Sequence, residues 1–332
     1  MNVAVFSTKR YDRDFLDAAN VSAGHRITYF DPPLGRETAG LANAYEAVCI
    51  FVNDKADAEV LEALARGGTR LVALRCTGFN NVDLEAAARL GLKVVRVVTY
   101  SPHSVAEHAV ALLLAINRKI HRAYNRTRDS NFSLDGLMGF DLHGKTVAVI
   151  GTGKIGSVFA RIMLGFGCEV IGYDKYPSPD FEALGARYAQ QGEIGARADI
   201  ISLHCPLTPE THHIINKDTL ARAKHGALLI NTSRGGLIDT EAAIMALKSG
   251  QLGGLAIDVY EQEADLFFRD LSSEIISDDV FQRLLAFPNV IVTGHQAFFT
   301  REAVSTICET TIQSISEFAA GQPLSNEIAA RG

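Results

Sequence analysis

Residues 146–156 read TVAVIGTGKIG, and this stretch decides the fold. Its first five residues are apolar or β-branched, a strand pattern. Gly151, Gly153 and Gly156 follow in the spacing G-x-G-x-x-G, and Ile155 to Leu164 has the pattern of a helix. The next apolar run, Glu169–Tyr173, is closed by Asp174, eighteen residues past Gly156. A strand, a glycine turn, a helix and a second strand ending in an acid are the context that gives this spacing meaning. Gly151 permits the tight turn, Gly153 lets a pyrophosphate approach the backbone, and Gly156 lets helix and strand pack closely. The phosphates would then lie on the helix N-terminus, where Lys154 and Ile155 begin the first turn. Asp174 can accept hydrogen bonds from the adenine-ribose hydroxyls and would repel a 2′-phosphate, which favours NAD over NADP. The competing reading is a glycine-rich turn in a plain α/β domain with Asp174 as a solvated strand end. Lys175 is a base beside it that could tolerate a phosphate.

The same rhythm extends both ways. Downstream, apolar runs recur at Ile200–His204, Ala227–Ile230, Gly254–Val259 and Val290–Val292. Upstream they lie at Val3–Phe6, Ile27–Phe30, Ala47–Val52, Leu71–Arg75 and Val94–Val98, with helical patterns such as Ala56–Arg66, and Leu84–Leu90 capped by Asp83. Alternation of this kind predicts parallel sheets, and two separate series predict two doubly wound domains. A long helix is expected after Ser104, which has capping-box spacing to Glu107, with "NRKIHRAYNRTRD" continuing it. A last helix is expected from Thr300 to Ala319, with Val304, Ile307, Cys308, Ile315 and Phe318 inward. A chain of 332 residues, 47% hydrophobic and 21% charged, can bury two cores. Its net charge of -6 and the lack of a basic stripe argue against nucleic acid. Five scattered cysteines without CxxC pairing argue for reduced thiols, with neither disulfide nor metal site. The N-terminus lacks a signal-peptide core, and the longest apolar run, Val110–Ile116, is too short to span a bilayer. A cytoplasmic protein that does not engage a membrane is expected.

The strand ends of the second series carry the chemistry. "GALLINTSRGG" places Arg234 after an apolar run, where the alternatives are a surface ion pair, a phosphate contact or a carboxylate clamp. Asp258, Glu261 and Glu263 follow "GGLAI", residues 253–257, and His295 follows Val290–Val292. Ligands of open parallel sheets bind beyond these strand ends. An imidazole titrates near neutrality, so His295 is the acid/base candidate, and a carboxylate such as Glu263 would orient it. With ten histidines and 38 acidic residues in the chain, position alone does not single out this pair.

"GTGKIG", "HCPLTPET", "NTSRGGLID", "DVYEQE" and "GHQAFFT", in this order, resemble the D-isomer-specific 2-hydroxyacid dehydrogenases. "RCTGFNNVDLEAA" and "YSPHSVAEHA" extend the likeness over nearly the whole chain, closest to the family's fermentative D-lactate dehydrogenases. The resemblance implies a Rossmann NAD-binding domain over residues 101–298. It also implies a flavodoxin-like, discontinuous substrate domain formed by residues 1–100 and 299–332. Arg234 would clamp the carboxylate of a 2-oxo acid, His295 would donate the proton, and Glu263 would support the imidazolium. Thr77 and Gly78 would offer amides to the substrate carboxylate, and Tyr100, Phe51 and Phe298 would line its side-chain pocket. Cys205, Pro206, Thr232, Ser233, Arg234 and Asp258 join the glycine loop as cofactor contacts. Thr211 stands where relatives often have Asn. The implied reaction is NADH-dependent reduction of pyruvate to D-lactate. The alternatives are reduction of other 2-oxo acids and a non-catalytic NAD sensor of the same fold. A homodimer or homotetramer is implied, with the helix after Ser104 at the interface.

Overall fold

The structure, a computed structural model, describes residues 1–328. The chain divides into two compact units: Met1–Ser101 together with the segment from Phe299, and Pro102–Phe298.

The smaller unit is built on strands β1 (Asn2–Val5), β2 (Arg26–Tyr29), β3 (Ala47–Ile50), β4 (Leu71–Leu74) and β5 (Lys93–Arg96). All pair in parallel, in the order β2-β1-β3-β4-β5, the flavodoxin-like winding. β3 and β4 are apolar and buried throughout because helices cover both faces of the sheet. The helix Ala58–Arg66 starts later than its apolar pattern suggests, because the Asp57 side chain accepts from Val60 N and fixes the start. Asp83 caps Leu84–Arg89 in the same way, and Thr300 caps Arg301–Ala319. This last helix packs on Arg10–Asn20 and β4, burying Val304, Ile307, Cys308 and Ile315. Phe318 is only half-buried and lies under the Arg70 guanidinium. Beyond it the chain returns to β5, where Ile328 N donates to Val94 O and Arg96 N to Asn326 O, covering a sheet edge.

The larger unit carries β6 (Thr146–Ile150), β7 (Glu169–Tyr173), β8 (Arg187–Tyr188), β9 (Ile200–Leu203), β10 (Ala227–Asn231), β11 (Leu252–Ile257) and β12 (Val290–Val292). Their order is β12-β11-β10-β9-β6-β7-β8, all parallel. The winding reverses between β6 and β9, the switch point where such sheets take ligands. β8 has only two residues and no apolar pattern, so periodicity does not announce it.

Two helix expectations are corrected here. The long helix runs from Pro102 to Asn117, with Ser104 buried inside its first turn instead of capping it. Proline suits the first helical position because its missing N–H has no intrahelical partner there. The polar continuation is not one helix: Lys119 adopts a left-handed φ of 52° and a second helix, Ile120–Arg128, follows. The break coincides with a docked loop. The Asn117 carboxamide donates to Phe140 O (2.8 Å) and accepts from Phe140 N (3.0 Å). Among the described residues, no helix is long and apolar enough to cross a membrane. All five cysteines are free and buried.

Candidate active site

The glycine turn after β6 behaves as its spacing demands. Gly151 has φ +94°, and a Cβ there would collide with the Cys205 amide at the end of β9. A Cβ on Gly156 would collide with the Gly151 carbonyl oxygen, whereas at Gly153 nothing lies within 4 Å. The outer two glycines therefore permit close packing, and the middle one leaves open space over the start of helix Lys154–Gly165. No side chain caps that helix at Gly153, so its N-terminus is suited to phosphate oxygens.

Asp174 closes β7 and is tied to the turn: Oδ2 accepts from Thr152 N (2.7 Å) and Oδ1 from Tyr176 N (2.9 Å). Thr152 Oγ1 in turn meets Tyr188 OH (2.8 Å) on β8. Cys205 stays a thiol, since burial pushes its pKa up to about 11. Ser233 Oγ donates to Cys205 O (2.7 Å). The Thr211 hydroxyl donates to Pro206 O (2.7 Å) and accepts from Thr208 N (2.8 Å), so it shapes the 206–211 loop. Thr232 is buried and its hydroxyl has no hydrogen-bond partner among the described residues, a donor left for a ligand. Open space at Gly153, an uncapped helix start, this orphaned hydroxyl and an acid closing β7 fit a dinucleotide.

The turn after β10 explains "NTSRGG". Asn231 is wholly buried; its Nδ2 donates to Arg234 O (2.8 Å) and its Oδ1 accepts from Ser233 N (3.0 Å). That side chain folds the turn. A Cβ on Gly235 would collide with the Tyr260 carbonyl, so glycine lets this turn press on the one after β11. Arg234 is half-buried and its Nη1 donates to Ser233 O (2.6 Å).

Beyond β11 and β12 one carboxylate organises a whole segment. Asp258 is fully buried. Its Oδ1 accepts from Thr293 Oγ1 (2.5 Å) and Gln296 N (2.9 Å), and its Oδ2 from Ala297 N (2.8 Å). His108, from the helix Pro102–Asn117, puts Nε2 at 3.1 Å from Thr293 Oγ1 and 3.5 Å from Asp258 Oδ1. The Asp258 carbonyl accepts from His295 N (2.8 Å), and His295 holds a left-handed φ of 55°. A non-glycine residue keeps that conformation only where its surroundings impose it. The ring is placed as well: Nδ1 lies 2.8 Å from Glu263 Oε1, and Glu263 Oε2 accepts from Tyr260 N (2.9 Å). Phe268 packs beside the imidazole at 5.6 Å between ring centroids. Glu263 and His295 are thus brought together directly. Asp258 is joined to the His295 segment by its own side chain, a role that strand-end reasoning did not assign.

In the smaller unit, Thr77 and Gly78 follow β4, with Thr77 O accepting from Arg96 Nη1 (2.9 Å). Phe51 follows β3 and is 8% exposed, with the Arg75 guanidinium over its ring at 4.9 Å. Tyr100 and Phe298, the latter in the larger unit, are half-buried. Sequence reasoning passed over Arg75, which is buried with Nε at 3.2 Å from Asp12 Oδ1 and Nη2 donating to Ser7 O (2.8 Å). It also passed over His108 and Thr293. Each lay inside or beside a quoted motif, yet only the fold pairs them with acids far along the chain.

Comparison with known proteins completes the picture. The family profile described as "D-isomer specific 2-hydroxyacid dehydrogenase, NAD binding domain" matches residues 110–297. The chain is 56% identical over 326 residues to a 2-hydroxyacid dehydrogenase homolog of Zymomonas mobilis, covering 98% of each chain. It is 52% identical over 328 residues to the D-lactate dehydrogenase of Escherichia coli, covering 99% of this chain and all of the other. The apo structure of D-lactate dehydrogenase from Escherichia coli superimposes with a TM-score of 0.91 at 50% identity, over 99% of this chain and 100% of that one.

Proposed function

The chain belongs to the D-isomer-specific 2-hydroxyacid dehydrogenases, which take NAD, and on that premise we propose that it reduces pyruvate reversibly to D-lactate. The observation that carries this reading is the 2.8 Å contact between His295 Nδ1 and Glu263 Oε1. It commits one ring nitrogen to the carboxylate and leaves Nε2 to carry the proton that moves.

In this reading the Arg234 guanidinium holds the substrate carboxylate through two parallel hydrogen bonds and polarises the neighbouring carbonyl. The Thr77 and Gly78 amides and Tyr100 add contacts to the same substrate. NADH, when bound, supplies the hydride to the carbonyl carbon. His295 gives its Nε2 proton to the carbonyl oxygen and recovers one from the hydroxyl in the reverse direction. Glu263 stabilises the imidazolium that precedes proton donation. Asp258, through Thr293, Gln296 and Ala297, keeps the His295 segment in place. The glycine turn, Lys154, Ile155, Asp174, Cys205, Pro206, Thr211, Thr232 and Ser233 hold the dinucleotide, and Asp174 sets the preference for NADH.

A small substrate is supported by the aromatic residues the family resemblance assigns to its side chain, of which Phe51 is 8% exposed with the Arg75 guanidinium 4.9 Å from its ring. The deciding experiment ranks 2-oxo acids by kcat/KM with NADH. Pyruvate is expected first, 2-oxobutyrate and glyoxylate lower, and branched acids lowest. A tenfold preference for phenylpyruvate or 2-oxoisocaproate would overturn the lactate reading, and NADH binding without turnover of any 2-oxo acid would make the protein a sensor. Self-association as a homodimer or homotetramer belongs to the same reading. It is supported by apolar side chains exposed on and after the helix Ile120–Arg128, among them Tyr124, Phe132, Leu134 and Met138. Light scattering on the purified protein tests it. The cytoplasm is the compartment in this reading, supported by five free thiols.

A further inference from the structure

"ETHHIIN", residues 210–216, contains two adjacent histidines that the reaction does not use. Adjacent side chains normally diverge. Here His213 adopts a left-handed φ of 51°, held by its N–H donating to Gly236 O (2.9 Å), and the two rings stack at 3.9 Å between centroids. A third group arrives from the turn after β11: Glu261 Oε1 lies 2.6 Å from His213 Nε2. Glu261 Oε2 accepts from Thr240 Oγ1 (3.1 Å), which orients the carboxylate. One nitrogen from each histidine and one Glu261 oxygen all lie within 4.8 Å of one another.

The geometry points to a divalent transition-metal site made by His212, His213 and Glu261, with a fourth position open to solvent. A tetrahedral zinc ion bound at about 2.0–2.2 Å needs donor atoms about 3.3 Å apart and lies in the plane of each imidazole, so ion binding would rotate the two stacked rings apart as it draws their nitrogens and the carboxylate together. Two imidazoles and one carboxylate select ions of the zinc, nickel or copper class; magnesium and calcium take oxygen donors. Thr240 is the outer partner that metal-binding carboxylates commonly have. His212 and Glu261 are exposed, so an ion has a direct path in. A bound ion would join the 207–213 loop to the turn carrying Glu263, two residues from Glu261. The sequence reading assigned no metal, because these ligands form no spacing motif: Glu261 is 48 residues from His213. A plain His213–Glu261 ion pair with a stacked neighbour is the alternative that experiment must separate.

The test is calorimetric titration of the untagged full chain with zinc chloride alone at pH 7.5. One ion per chain with micromolar affinity is expected, weakening as pH falls and protons compete for the imidazoles. His212→Gln, His213→Gln and Glu261→Gln should each weaken binding tenfold or more. His225→Gln, at an exposed histidine elsewhere, should not. His212 is exposed and has an ordinary backbone, so its variant reports even where His213→Gln disturbs the loop. No uptake by the wild type below ~1 mM zinc, or wild-type affinity in any one of the three ligand variants, overturns the site.

Discussion

Asp258→Asn tests whether a buried carboxylate, and not merely a histidine at a strand end, makes the acid/base competent. Asp258 is fully buried and receives three hydrogen bonds from the segment 293–297. Asparagine keeps one acceptor oxygen, enough for Thr293 Oγ1 and Gln296 N. Its amide group then faces Ala297 N–H, donor against donor. Bonds to a charged group contribute about 1.5–3 kcal/mol and neutral ones about 0.5–1.5, so the two retained bonds weaken by about 1 kcal/mol each. The unmade bond at Ala297 adds about 1–3 kcal/mol. Burying an amide in place of a carboxylate offsets part of this, leaving a net cost of about 2–4 kcal/mol. Expressed at His295, that is a fall in kcat of about 30- to 1000-fold. The assay is steady-state reduction of pyruvate, with NADH affinity measured separately by fluorescence quenching. Affinity for NADH should stay within threefold of wild type. A variant with wild-type kcat would refute the reasoning, and one whose only defect is weakened NADH binding would refute it and make Asp258 a cofactor contact instead of a clamp.

Four further outcomes are expected. Arg234→Lys keeps the charge but loses the planar fork, so kcat/KM for pyruvate should fall on the order of 100-fold with NADH affinity unchanged; near-wild-type kinetics would remove the clamp. Glu263→Gln removes the anion 2.8 Å from His295, so kcat for pyruvate reduction should fall on the order of tenfold or more with NADH affinity unchanged, and a wild-type kcat would show that Glu263 is not the partner. Asp174→Ser should narrow the preference for NADH over NADPH; equal kcat/KM for both cofactors in the wild type would contradict the role given to Asp174. Burial pushes His204 down to about 3 from the usual 6.5, so the unfolded chain binds a proton near pH 6.5 that the folded chain refuses. Stability from this group is therefore present above pH 6.5 and lost as pH falls, by about 2 kcal/mol at pH 5. Urea unfolding of His204→Asn should show a smaller difference between pH 8 and pH 5 than wild type does, and an unchanged difference would count against it.

Much of this protein is legible from local signals. The strands Thr146–Ile150 and Glu169–Tyr173 coincide with their apolar runs, because both faces of the parallel sheet are covered at its centre and burial there needs continuous hydrophobicity, and the half-buried edge strand Val290–Val292 coincides with its run as well. Asp83 and Thr300 mark helix starts because a capping side chain acts on an amide three residues away. The glycine triplet is readable for the same reason: each glycine answers a clash within one turn or with the neighbouring strand. The tertiary structure decided what depends on groups far apart in the chain. It set the strand order and the two-residue β8, whose Tyr188 reaches the glycine turn. It broke the helix at Lys119, where a loop from around Phe140 satisfies Asn117. It turned Asp258 from a strand-end acid into the buried acceptor of Thr293, Gln296 and Ala297, with His108 beside it from a distant helix. Sequence specifies which side chains can accept, donate or carry charge. Crossover connections decide which of them meet, and burial then decides whether a carboxylate faces water or must be satisfied by the protein itself.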